Sequence, residues 1–101
     1  MSKFERLQID VLIWAKQRNL LKSENANSQF LKVVEELGEF AGAVAKNKRA
    51  EMKDGLGDTL VTLIILANQL DLDLVGCLDI AYNEIKNRTG KTIDGTFIKD
   101  E

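Results

Sequence analysis

The chain contains no proline and no histidine, a single cysteine, and only one tryptophan, one tyrosine and four phenylalanines among 101 residues. Without proline, nothing in the chain forbids long helices, because no backbone N–H is missing and no ring collides with the preceding turn. Without histidine, the commonest general base and the commonest zinc ligand are both excluded. Catalysis would have to run on carboxylates, lysines, hydroxyls or a bound metal. The lone Cys77 excludes an internal disulfide framework and suits a reducing compartment. No uninterrupted apolar run approaches the roughly 18 residues of a membrane span, and no apolar signal core follows Met1–Arg6. Neither sign of charge dominates: 14 basic residues oppose 16 acidic ones, for a net charge of −2. A basic footprint for nucleic acid is therefore absent. These absences point to a cytoplasmic protein with no nucleic-acid or membrane partner.

Apolar residues make up 45% of the chain and charged residues 30%. That composition and length fit one domain, 1–101, with a modest core that self-association would supplement. Periodicity predicts four helices. The first spans Lys3 to Arg18, with Phe4, Leu7, Val11, Trp14 and Ala15 on one face. A polar connection, Asn19 to Asn27, leads to a second helix capped by Asn27 or Ser28. Its apolar stripe is Phe30, Val34, Leu37, Ala41 and Val44, and it fades near Asn47–Arg49. The third runs from Ala50 to Leu70, polar in front and apolar almost all round from Leu60 to Ala67. A helix apolar on every side has to be surrounded. Four short helices look too few to do so, which predicts a subunit interface there, the alternative being a central helix within one chain. The fourth helix follows Asp71–Asp73 and reaches Arg88, with Leu74, Leu78, Ala81, Tyr82 and Ile85 as its buried stripe. Gly90 is expected in a left-handed position closing it, and the tail around Asp94-Gly95 reads as a small hairpin. The fold class is all-α, bundle-like, with a short C-terminal hairpin and oligomeric assembly.

The chemistry concentrates in acids. Glu35, Glu36 and Glu39 lie on the second helix, and Glu51, Asp54 and Asp58 on the third. At about 100° per residue, Glu36 and Glu39 share one face, as do Asp54 and Asp58. If both pairs meet at the interface of the two helices, with Val34, Leu37 and Ala41 packed on Leu56, Leu60 and Leu63, four carboxylates converge. Such a cluster repels itself unless a cation intervenes, and an all-oxygen donor set suits Mg²⁺. Gly38, Gly55 and Gly57 beside the acids suggest close helix approach or room for a ligand. The plainer alternative is a solvated face in which Lys32 pairs with Glu36 and the aspartates favour a helix start.

Three segments in order, Lys32–Glu39, Lys53–Asp58 and Tyr82–Arg88, resemble the MazG-like nucleotide pyrophosphohydrolases. The family pattern is Glu-Glu-x-x-Glu followed by Glu-x-x-Asp. The first half matches at Glu35, Glu36 and Glu39; in the second, Gly55 stands where the glutamate is expected, with Asp54 one residue earlier. A literal match also exists at Glu51 to Asp54. The resemblance implies a Mg²⁺-dependent enzyme, with Mn²⁺ a possible substitute, that splits nucleoside triphosphates into a monophosphate and pyrophosphate. It implies metal ligands at Glu36, Glu39, Asp58 and Asp54 (or Glu51), and catalysis by Glu35 and Glu36. Lys32 holds a phosphate or merely pairs with Glu36; Asn83 and Lys86 touch phosphate or sugar, or are solvated; Trp14 and Tyr82 stack a base or anchor the core. The assembly is a homodimer or homotetramer. A phosphoribosyl-ATP pyrophosphohydrolase and a non-catalytic nucleotide-sensing module are the rival readings, the latter favoured by Gly55.

Overall fold

Ser2 opens the first helix, its hydroxyl accepting the Glu5 N–H at 3.1 Å and donating to the Glu5 carboxylate at 3.1 Å. In the computed structural model, which describes residues 1–101, this helix is α1 (Lys3–Gln17). A 3-10 turn (Ser23–Asn25) leads into α2 (Ala26–Ala45), then α3 (Arg49–Gln69), α4 (Leu74–Ile85), β1 (Gly90–Ile93) and β2 (Thr96–Lys99). Four helices and a two-stranded antiparallel hairpin make up the domain. The α2 start differs from expectation. The helix grows directly out of the 3-10 turn at Ala26, and Asn25 at its N-cap makes no side-chain cap bond.

Helix ends follow one rule. Asn19, Asn47 and Asp71 each take a positive φ of 59°, 53° and 56° just past α1, α2 and α3. The following amide bonds back five residues: Leu20 to Ala15, Lys48 to Ala43 and Leu72 to Ala67. Short polar side chains tolerate this left-handed turn, so no glycine is used to close these helices. Gly90 is not a helix cap either. It begins β1, where an added Cβ would collide with the Ile98 carbonyl and the Phe97 ring across the hairpin. The Asp94-Gly95 turn has positive φ at both residues (50° and 78°), the conformation favoured in two-residue hairpin loops. The last helix ends at Ile85, three residues short of the expected Arg88.

The core lies between α2 and α3. The contact face of α2 carries Val33, Phe40 and Ala43, with Gln29 and Glu36 half-buried on the same spacing. The stripe expected there is instead exposed: Phe30 57%, Leu37 51% and Val44 51%. On α3, Gly55, Thr59 and Thr62 face inward, while Leu56 and Leu60 face out. Volume decides this pairing. A Cβ on Gly55 would stand 2.9 Å from the Phe40 Cα, so these helices pack backbone against ring at that point. Gly38 and Gly57, by contrast, face open space and do not serve helix approach within the chain.

Two further expectations are corrected. The apolar back half of α3 is buried inside one chain, with Ile64, Ile65 and Leu66 at 6%, 3% and 6% exposure. The central-helix alternative therefore holds for Ile64 to Leu66, while Leu60 at the start of the segment stays 40% exposed. The reverse applies to α4. It leaves α3 at 102° and buries no residue; of its expected stripe, Leu78, Ala81, Tyr82 and Ile85 are exposed and Leu74 is half-buried.

The three glycines beside the acids should respond differently to alanine. Gly55→Ala forces backbone to move and should cost about 1–3 kcal/mol. Gly38→Ala and Gly57→Ala should instead gain up to about 1 kcal/mol through helix propensity. Urea unfolding curves of the three variants check this, and equal effects at all three would contradict the packing described.

Candidate active site

One face of α3 forms the floor of a cavity of about 590 Å³. Asp58, Thr62, Ile65 and Gln69 succeed one another along it at helical spacing. Lys32 and Glu36 line the α2 side; Trp14 and Leu20 close it from the end of α1 and the connection. The Gln29 amide donates to the Thr62 carbonyl at 3.1 Å and ties the two walls together. The Arg18 guanidinium stacks 4.4 Å from the indole centroid of Trp14 and donates to the Trp14 carbonyl at 3.0 Å, which holds the ring. Trp14 is 45% exposed, a wall rather than a core anchor.

Asp58 also faces a second, smaller cleft of about 230 Å³. This cleft is lined by Glu39, Glu51, Asp54 and Gly55 besides Asp58, with no apolar side chain. Asp58 is therefore the shared wall between an acidic cleft and a pocket with an apolar floor. Lys32 is the single cation lining the larger cavity. Its ammonium lies 3.2 Å from Glu35 and 3.4 Å from Glu36. Hydrogen bonds to those carboxylates raise its pKa above the usual lysine value. Glu39 is pushed above the usual carboxylate value, chiefly by the negative charge of Glu36.

The candidate residues thus divide. Lys32, Glu36, Asp58 and Trp14 meet at the larger cavity; Glu39, Asp54, Glu51 and Asp58 meet at the cleft. Glu35 lines neither; its side chain is 57% exposed and held by Lys32. Tyr82 and Asn83 on α4, and Lys86 at its C-cap, are exposed and also line neither cavity. No three carboxylates stand close enough together to share one ion. Their chemistry nonetheless fits a hard divalent cation, being all oxygen, and the upward shift at Glu39 marks repulsion that a cation would relieve. Sequence reasoning missed Asn25, Ser28, Gln29 and Gln69 on the larger cavity. Gln69 carried a signal, as a polar residue in the last turn of an apolar helix half.

A helical domain with a carboxylate cleft opening beside a lysine-bearing pocket defines the class of site. The MazG nucleotide pyrophosphohydrolase domain matches residues 24–91, about two thirds of the chain, and the chain belongs to that family. It is also 40% identical over 75 residues to an uncharacterized 18.2 kDa protein encoded in the rep-hol intergenic region of Haemophilus phage HP1 (strain HP1c1). That match takes in 74% of this chain and 46% of the phage protein, so the chain spans about half the length of this relative. No solved structure matches.

The Glu39 shift has a pH consequence. Its folded-state pKa lies above the ordinary value of 4.5, so the folded chain holds this proton more tightly than the unfolded one. The proton's stabilising contribution grows as pH falls through that range, and at neutral pH the charged carboxylate is destabilising. Glu39→Gln should therefore raise the melting temperature of the metal-free protein at neutral pH, with the gain shrinking toward the carboxylate range. Thermal melts across pH check it; a loss, or a gain independent of pH, would contradict the assigned repulsion.

Proposed function

We infer that the chain hydrolyses nucleoside triphosphates between the α- and β-phosphates, releasing a nucleoside monophosphate and pyrophosphate. The observation carrying this reading is the double position of Asp58, at once in the acidic cleft and on the floor of the larger cavity. A triphosphate reaching from pocket to cleft passes that residue. Glu36, Glu39 and Asp58, with Asp54 as fourth ligand, would have to draw together to hold Mg²⁺ (or Mn²⁺), which when bound would neutralise the phosphates and lower the pKa of an attacking water. Lys32 binds a phosphate oxygen. Turning toward it releases Glu35 and Glu36 from their ion pairs. Glu35, accessible and one residue from Glu36, then orients the water and takes its proton. The water oxygen bonds to the α-phosphorus, the bond to the bridging oxygen breaks, and pyrophosphate leaves.

The working form on this reading is a homodimer or homotetramer in the cytoplasm. Support comes from the outer face of α2 and from α4, where Phe30, Leu37, Leu78 and Ile80 stand 57%, 51%, 68% and 71% exposed. Such patches favour a protein partner, and a second copy is the simplest. It would also bring Tyr82, Asn83 and Lys86 toward a neighbouring site. No single helix is long and apolar enough to cross a membrane.

Pyrophosphate release with Mg²⁺ tests the assignment. Glu36→Gln, Glu39→Gln and Asp58→Asn should each cost about 100-fold or more in turnover without unfolding the protein. Near-normal rates in all three would refute it. Asp54→Asn should behave like Asp58→Asn, and Glu51→Gln should be mild; the opposite order would make Glu51 the fourth ligand. Phosphoribosyl-ATP in the substrate panel separates the related enzyme class. Assembly is tested by light scattering. The wild type should exceed monomer mass at micromolar concentration, and Leu37→Lys should reduce it; an active wild-type monomer would contradict oligomeric function.

A further inference from the structure

Gln69 lies in the last turn of α3 and is 5% exposed. Its amide nitrogen donates to the Leu20 carbonyl at 2.7 Å. That bond fixes the orientation of the amide, because turning it over would set oxygen against oxygen. The amide oxygen, Oε1, is consequently committed to accepting, yet it has no hydrogen-bond partner. It is the one buried side-chain nitrogen or oxygen in the chain left so. Buried acceptors are normally satisfied, and an exception calls for a cause.

Its surroundings indicate the cause. Gln69 lines the larger cavity together with Leu20, Ile65 and Trp14. Arg18 stacks on one face of that indole, and an indole can stack a flat ring on its other face. Along α3, Gln69 stands eleven residues beyond Asp58, roughly 16 Å at the helical rise. The acidic end of the cavity and the amide end are therefore separated by about the reach of an extended nucleotide. Oε1 itself is closed to water. What meets it must displace the side chains over it and must donate, whereas a phosphate oxygen only accepts. The exocyclic amino edge of a base stacked on Trp14 is such a donor, reached once those side chains shift.

We propose that Gln69 is a specificity residue whose Oε1 accepts a hydrogen bond from the exocyclic amino group of a cytosine or adenine base stacked on Trp14. This rests on the nucleotide reading of the site and extends it to the base. A uracil or hypoxanthine base presents a keto oxygen at the same ring position, acceptor against acceptor. The amide cannot rotate to accommodate it without abandoning Leu20.

Calorimetric binding of α,β-methylene nucleotides with Mg²⁺ tests the proposal independently of turnover, using the CTP/UTP and ATP/ITP pairs. Wild type should bind the amino member of each pair about tenfold more tightly, the scale of one hydrogen bond in a closed site. A cytidine analogue lacking the 4-amino group should lose the same factor on the unaltered protein, so the result does not depend on a variant folding. Gln69→Met should bring both pairs close to equal affinity. Binding without base preference, or a preference that survives Gln69→Met, overturns the proposal while leaving pyrophosphate release on the unmodified nucleotides to stand. Absence of binding by every nucleotide overturns both readings.

Discussion

The close approach of α2 and α3 at Gly55 and Phe40 is the constraint on which the rest of the structure depends. With no side chain at position 55, the Phe40 backbone and ring come to within ordinary contact of the opposing helix. Val33 and Ala43 then fill the seam on either side. The same approach sets Glu36 and Asp58 on walls of one cavity and Glu39 and Asp58 on walls of the other. It also explains why position 55 does not carry an acid. A glutamate there would be driven into the Phe40 backbone, not out into the cleft, and Asp54 and Asp58 supply the carboxylates of that face instead.

Bringing backbones this close leaves polar groups inside, and α3 satisfies them within its own length. The Thr59 hydroxyl donates to the Gly55 carbonyl and the Thr62 hydroxyl to the Thr59 carbonyl, both at 2.8 Å. Threonine is narrow enough for the seam and still presents a methyl to its neighbours. Gln29 and Gln69 reach from α2 and α3 to backbone carbonyls across the fold, Thr62 and Leu20; the first ties the two long walls of the cavity together and the second ties α3 to the connection after α1. The interior is thus a polar-laced seam more than an oil drop, and the cavity follows that seam.

Helix number, helix type, the hairpin and the acidic pairs were legible in the sequence, because each rests on periodicity or on turn chemistry local to a few residues. The inner face of α2 was not. Phe30, Val34 and Leu37 make the more hydrophobic stripe, but Val33 and Ala43, with Phe40, make the narrower one. A helical wheel ranks faces by hydrophobicity, whereas the chain chose the face that let Gly55 be approached. The three glycines looked alike in sequence, although only Gly55 meets another helix. The direction of α4 was equally invisible: the break at Asp71 to Asp73 signals that a helix ends and is silent on the angle at which the next begins. Gln69 was overlooked since one glutamine ending an apolar run ordinarily marks a solvated terminus.

Charge gives the last constraint on how such a site works. The two cavities are walled by five carboxylates, Glu36, Glu39, Glu51, Asp54 and Asp58, against one lysine. A polyphosphate adds further negative charge, so on the proposed reading this chain's own residues cannot bind it unaided. Positive charge has to be brought in. A divalent cation among the carboxylates answers the repulsion registered at Glu39. On the same reading Lys86 is a second candidate, although the 102° turn into α4 carries it away from its own cavities. An element that buries nothing in its own chain yet bears apolar residues is shaped to lie on something else. If that surface is a second copy, the turn that removes Lys86 from one site delivers it to another, and charge balance and assembly become the same requirement.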